Sequence, residues 1–214
     1  MSGQEKWAVT VPFRSVEDAK TRLALSCRRD LALAFLRDTL AALMSSPHIS
    51  SVIVVSRDAA LSDSIGTPVI EDRGRGIDDA VEIGHRWLRE HGHQGHYSVV
   101  LPDLPALRTS DIDAFFDAAS RRPLTFVADM TGSGTTCLST QQNTVISAFG
   151  ENSAHRHIRL GYKDIPLEVP SLRLDVDTTD DLVRAARMGV GSHTRRLLTS
   201  NKELRRLRSS ALVS

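Results

Sequence analysis

Cysteine is scarce in this chain: of 214 residues only Cys27 and Cys137 carry a thiol. They stand far apart and lack the C-x-x-C or Cys/His spacing of a metal or redox site, so both read as small buried hydrophobes. A dominant sign of charge is missing too. With 27 Lys and Arg against 26 Asp and Glu the formal net charge is +1, and no global field draws the molecule to nucleic acid or to a membrane. The opening MSGQEKWAVTVPF has no apolar run of signal length and no small-residue cleavage site, and no later stretch approaches a membrane span. These absences predict a cytoplasmic protein without a membrane or nucleic-acid partner. No internal repeat, long linker or low-complexity tract occurs. What is present, 41% hydrophobic and 25% charged residues, matches an ordinary globular protein of a length at which one domain is the default.

Residues 7–11 alternate and are rich in β-formers, whereas residues 12–18 break the pattern, which predicts a strand and then a polar loop carrying Arg14. Over residues 29–44, Leu33, Leu36, Leu40 and Leu43 recur at helical spacing, as in an amphipathic helix laid on a sheet. SVIVVS at 51–56 is a short continuous apolar run of the kind that suits a strand buried on both faces, and Val69-Ile70 and residues 98–101 repeat it. Helical stretches at 77–88 and 112–119 separate these runs, the second opened by Thr109 and Ser110 as caps. Strands alternating with helices of this length predict βαβ units with right-handed crossovers. After Arg122 the rhythm changes. LTFVAD and TTCLST are strand-like but separated only by MTGSG, which predicts a hairpin. Thr178 and the acids Asp180 and Asp181 open a further helix, with Gly189 at its stop. The fold class is therefore α/β, a mixed and mostly parallel sheet with helices on both faces. One domain spans residues 1–192, and residues 193–214 form a basic C-terminal helix or tail. From Gly191 onward six Lys or Arg stand against one acid, Glu203. That tail lacks the interleaved aromatics of a nucleic-acid surface, so it reads as an exposed helix, solvated or engaged in a homodimer contact.

Five segments are unusual in composition: PFRSVEDAKTRLA, EDRGRGIDDA, LPDLPAL, VADMTGSGTT and DVDTTDDL. Four follow directly on predicted strands, and in open α/β sheets ligands sit at the carboxyl ends of strands, so these segments should surround one crevice. Arg14, Lys20 and Arg22 would give it a positive wall for phosphates. Asp103, Asp175 and Asp177 would give it hard oxygen ligands. Taken singly, each has an ordinary structural reading. Lys20 and Arg22 could be solvated charges at a helix start, Asp103 a turn cap, and Asp175 and Asp177 turn and N-cap acids. Gly132-Ser133-Gly134 is neither a Walker loop nor a dinucleotide fingerprint. His91, His93 and His96, with His155 and His157, invite a zinc site. Their setting, EHGHQGHYS, is instead a polar connection with no cysteine or carboxylate at a familiar spacing.

With these motifs in order, the chain resembles the guanylyltransferase family of deazaflavin coenzyme (coenzyme F-420) biosynthesis, which includes 2-phospho-L-lactate and phosphoenolpyruvate guanylyltransferases. The resemblance runs almost end to end. It rests on AKTRLA at 19–24, DLPAL at 103–107, VAD-x-x-G-x-G-T at 127–135, FG-x-x-S-x-x-x-H from Phe149 to His157, and DVDT-x-x-DL at 175–182 with GVG behind it. It implies a single-domain, nucleotidyltransferase-type Rossmann-like fold in which Asp103 and Asp175, joined here by Asp177, hold Mg2+. It implies GTP as donor, with its triphosphate on Arg14, Lys20 and Arg22. A three-carbon phosphorylated acid would be held by backbone N–H groups at Thr135 and Gly150 and by the Ser153 hydroxyl. The details favour phosphoenolpyruvate over 2-phospho-L-lactate or 3-phosphoglycerate, and a non-catalytic GTP-binding paralogue is the remaining alternative. Three departures stand out. LPDLP is one residue shorter than the family's usual loop, Arg14 replaces a common Lys, and Ile77-Asp78 replaces Leu-Asn. The resemblance assigns guanine recognition to no residue.

Overall fold

Strand β1 (Trp7–Pro12) is buried along its whole length, because it is an interior strand of a sheet covered on both faces. The computed structural model of the chain describes residues 6–14 and 25–205. Along it run α1 (Arg28–Met44), β2 (Ile49–Ser56), β3 (Val69–Glu71), α2 (Ile77–Glu90), β4 (His96–Val100), α3 (Thr109–Ala119), β5 (Leu124–Ala128) and β6 (Thr135–Thr140). Then come α4 (Ser153–Arg159), β7 (Lys163–Asp164), α5 (Pro170–Arg173), α6 (Thr179–Met188) and α7 (Ser192–Ser200). The strands form one sheet in the order β3-β2-β1-β4-β6-β5-β7. β1 pairs in parallel with β2 and β4, and β2 does so with β3. β6 runs antiparallel to both β4 and β5, closing the expected hairpin, and β7 lies parallel to β5. The sheet is therefore mixed and mostly parallel, as the sequence pattern predicts.

Alternation along the strands divides the core. Trp7, Val9, Val11, Val52, Val54 and Val100 meet α1 and α3 through Leu36, Leu40, Phe115 and Phe116 on one face. Ala8, Ile53, Val55 and Tyr97 meet Ala80 and Leu88 of α2 on the other. α4 joins that second face, with Ala154, Phe149 and Tyr162 packed on Phe126 and Leu138.

Four local expectations are revised. β3 is an edge strand paired with β2 and only half-buried, so Val69-Ile70 is not buried on both faces. α1 is buried almost all round rather than along one stripe, because a further layer containing Val176, Leu182, Ala185, Val190, Leu198 and Leu204 covers its outer side at Leu31 and Phe35. The helix anticipated as an exposed basic appendage, α7, belongs to that layer. Its Thr194 and Leu198 are buried, and the Asp38 carboxylate on α1 accepts the backbone N–H groups of His193 (3.0 Å) and Thr194 (2.8 Å). Lastly, Thr109 does not cap α3. Its hydroxyl donates to the Ala42 carbonyl near the end of α1, joining two helices instead of closing one. The opening of α6 is as predicted: Thr178 and Asp181 form a reciprocal capping box.

Candidate functional site

Immediately after β4 the chain reads Leu101-Pro102-Asp103-Leu104. Thr39 on α1 brackets the acid: its hydroxyl donates to the Pro102 carbonyl (3.2 Å) and accepts from the Leu104 N–H (3.3 Å). The short loop is thus held on both sides of Asp103. The Asp103 carbonyl accepts the Val176 N–H at 3.0 Å, which ties this loop to the segment before α6. In that segment Leu174 and Val176 are buried, and the period of two in an extended chain turns Asp175 and Asp177 the other way. One carboxylate oxygen each of Asp103, Asp175 and Asp177 lies within 4.8 Å of the others. Three like charges this close repel one another unless a cation neutralises them, and an all-oxygen donor set fits a hard divalent cation. Asp175 and Asp177 are not the caps of α6, since Thr178 and Asp181 fill that role.

β6 runs against its neighbours, so its first residue, Thr135, lies at the edge where the parallel strands end. The turn before it is built by Asp129, whose Oδ1 accepts from the Ser133 N–H (3.0 Å) and the Thr131 hydroxyl (2.9 Å). A Cβ at Gly134 would stand 2.5 Å from the other Asp129 oxygen, so a side chain there would open the turn. The Ser133 carbonyl in turn accepts the Ala154 N–H at 3.0 Å, fixing this turn against the start of α4.

The strap before α4 is held at each step. Tyr162 donates to the Ile146 carbonyl (2.9 Å), the Ala148 N–H donates to His157 Nε2 (3.0 Å), and Arg156 donates to the Phe149 carbonyl (2.7 Å). Asp78 Oδ1, in the first turn of α2, accepts from both the Ser147 hydroxyl (2.7 Å) and the Phe149 N–H (2.9 Å). Gly150 then turns at φ 105°, a conformation that strains any residue with a Cβ, and brings the chain to Ser153. Burial pushes the Tyr162 hydroxyl up to about 12 and the Cys137 thiol likewise to about 12. His157 is pulled down to about 4, chiefly by burial, with Asp78 opposing the shift and Arg156 adding to it.

Arg14, Asp103, Thr135, Gly150, Ser153, Asp175 and Asp177 all line one crevice of about 750 Å³. Lys20 and Arg22 lie outside the described residues. Asp129, Ile77 and Leu101 also line the crevice although the sequence reading assigns them no role. Of these, Asp129 had a signal, since it closes the VAD motif. Asp78 and His157 were visible only as a departure and as a motif letter; nothing near them in sequence names the groups they hold. The cluster of His91, His93 and His96 serves local structure, with His93 Nε2 bonded to the His96 carbonyl. Among the described residues the aspartate triad is the one group of three or more potential ligands that could hold a metal.

Residues 7–210 match the family model described as "Guanylyl transferase CofC like". The chain is 75% identical over 208 residues to phosphoenolpyruvate guanylyltransferase 2 of Rhodococcus jostii (strain RHA1), covering 97% of each. It is 38% identical over 205 residues to the phosphoenolpyruvate guanylyltransferase of Geodermatophilus obscurus, covering 90% of this chain and 94% of the relative. In fold it is similar to a crystal structure from Desulfovibrio desulfuricans G20 that carries the name of a nucleotide-diphospho-sugar transferase. The TM-score is 0.70 at 15% identity, over 98% of this chain and 97% of that one. Among the described residues no helix is long and apolar enough to cross a membrane.

Proposed function

The chain belongs to the family of CofC-like guanylyl transferases, and from that premise we propose that it transfers GMP from GTP to the phosphate of phosphoenolpyruvate. The products are enolpyruvoyl-2-diphospho-5'-guanosine and pyrophosphate. The observation that carries this reading is the single crevice in which three clustered carboxylates and Arg14 meet Thr135, Gly150 and Ser153. It accords with the phosphoenolpyruvate-named relative at 75% identity.

The acceptor phosphate has a second pKa of about 6, so near neutral pH it is largely a dianion and needs no protein base. One of its oxygens attacks the α-phosphorus of GTP as the bond to pyrophosphate breaks in line. The protein's part is to position two anions and to oppose their repulsion. Asp103, Asp175 and Asp177 would hold Mg2+, which would supply positive charge against the repulsion of the two anions. Arg14, with Lys20 and Arg22, holds the triphosphate. Thr135, Gly150 and Ser153 hold the three-carbon acid. Asp78 keeps the strap before Gly150 at the height of the crevice, so the acid meets a preformed wall.

The test is pyrophosphate release by the purified full chain with Mg2+, comparing GTP with ATP and phosphoenolpyruvate with 2-phospho-L-lactate and 3-phosphoglycerate. GTP with phosphoenolpyruvate should be the best pair. Pocket shape alone discriminates between such similar acids by roughly 10 to 200-fold, so the second acid can show measurable turnover. A higher kcat/KM for 2-phospho-L-lactate overturns the acceptor, and absence of release with every pair overturns the enzyme reading.

A further inference from the structure

His157 has 0% exposure, yet it is not inert packing. Its ring is enclosed by Phe149 at 5.0 Å and Tyr162 at 5.7 Å, both edge-on, with Phe126 at 6.1 Å. Both nitrogens are engaged. Nε2 lies 3.0 Å from the Ala148 backbone nitrogen, and a backbone N–H can only donate, so Nε2 must be the bare, accepting nitrogen. Nδ1 lies 2.9 Å from the Thr135 hydroxyl oxygen. In a neutral ring the proton is then on Nδ1, and Nδ1 donates to Thr135. An oxygen that already accepts from His157 keeps its own hydroxyl proton to give away, and Thr135 lines the crevice.

Resting on the substrate reading above, we infer that His157 is a positioning residue that leaves the Thr135 hydroxyl proton free to be donated to an anionic oxygen of the acceptor acid. The relay runs from the Ala148 N–H through the imidazole to Thr135 and ends on the ligand. It also joins the two walls of the crevice, because Ala148 belongs to the strap that leads to Gly150 and Thr135 begins β6. The charged groups beside the ring are Asp78, on α2, and Arg156, the neighbouring residue on α4. Burial keeps the imidazole neutral at physiological pH despite the acid. A doubly protonated ring could not accept from Ala148. This deepens the role of Thr135: its side chain, as well as its backbone N–H, meets the acid.

Two measurements decide the matter. The first is the tautomer of His157 in the full chain, labelled with 15N at histidine, read at pH 7 without and with phosphoenolpyruvate and Mg2+. A protonated Nδ1 and a bare Nε2 in both states are expected. A ring protonated at Nε2, or on both nitrogens, overturns the relay whatever the protein acts on. The second is kinetics with GTP and Mg2+. Thr135→Val should raise KM for phosphoenolpyruvate about 10- to 100-fold, the usual effect of losing a hydrogen bond to a charged group, while KM for GTP stays within about threefold. Thr135→Ser, which keeps a hydroxyl, should raise KM for phosphoenolpyruvate less than Thr135→Val does. His157→Asn, whose amide can still donate from the Nδ1 position, should lose less than His157→Phe. In the double variant His157→Phe should add little to Thr135→Val, since both remove one interaction. Equal loss for both substrates in Thr135→Val, or full additivity, overturns the inference. If His157→Phe does not fold, the Thr135 pair and the tautomer still decide. Failure of wild-type turnover would sink the substrate reading alone, and the tautomer would still judge the relay.

Discussion

Asp103 and Asp175 come from loops 72 positions apart, and the Val176-to-Asp103 backbone bond sets their carboxylates side by side. Replacing either acid by Asn removes a charge without opening the core. Asp103→Asn and Asp175→Asn should each abolish pyrophosphate release with no fall in the urea midpoint, because relief of carboxylate repulsion offsets any lost contact. Normal turnover by either variant would end the metal assignment. Asp78 acts at a distance from the reacting atoms. Asp78→Asn keeps an oxygen that can accept from Ser147 and Phe149, whereas Asp78→Ala removes both of these bonds from the strap. The alanine variant should raise KM for phosphoenolpyruvate about tenfold, the usual scale for losing such bonds, and the asparagine variant should stay close to wild type. Ser153→Ala should likewise raise KM for the acid more than for GTP. An equal loss for both substrates would instead make Ser153 a structural residue at the head of α4.

α7 shows how an element acquires its place. Its N-cap, Gly191, has no side chain to satisfy the first N–H groups. Asp38 of α1 does so from outside, and a Cβ at Gly191 would overlap the Asp38 carboxylate. The GVG motif therefore admits a close approach between helices. Asp38→Ala should cost about 1 to 3 kcal/mol in urea unfolding, since it leaves buried N–H groups without an acceptor. Asp38→Asn should cost less, and KM for either substrate should be unchanged because α7 does not line the crevice. A shift in KM for the acid would mean that the outer helical layer reaches the site.

For the molecule as a whole, His157 makes stability depend on pH. Its folded pKa of about 4 lies below the ordinary 6.5, so between these values the unfolded chain binds a proton that the folded chain refuses. Stability should be full above about pH 6.5 and fall as pH drops toward 4. At about 1.4 kcal/mol per pKa unit, the loss attributable to this ring approaches about 3 kcal/mol. His85, lowered by burial first and by Arg89 next, acts in the same direction. The comparison that isolates His157 is unfolding at pH 7.5 and 4.5 for wild type and His157→Asn, in which the variant should show the smaller loss. An equal pH dependence in both would refute it.

Local periodicity by itself determined the order of elements from β1 to β6, the hairpin after Arg122 and the capped opening of α6, because each depends on residues a few positions apart, whereas α4, β7 and α5 carried no such signal. The segments that follow strands likewise announced Arg14 and Asp103 as crevice residues, since chain direction in a parallel sheet places strand ends together, whereas Asp175 and Asp177 follow α5 and are tied to the crevice by the Val176-to-Asp103 bond. Tertiary structure decided what depends on separation in sequence. It made β3 an edge strand, covered the outer side of α1, turned the basic tail helix into part of the core, and diverted Thr109 from its cap to Ala42. It also joined Ala148, His157 and Thr135 into one chain of hydrogen bonds. No spacing rule reports that last contact, because a buried imidazole takes its protonation state and its partners from whatever the fold sets beside it.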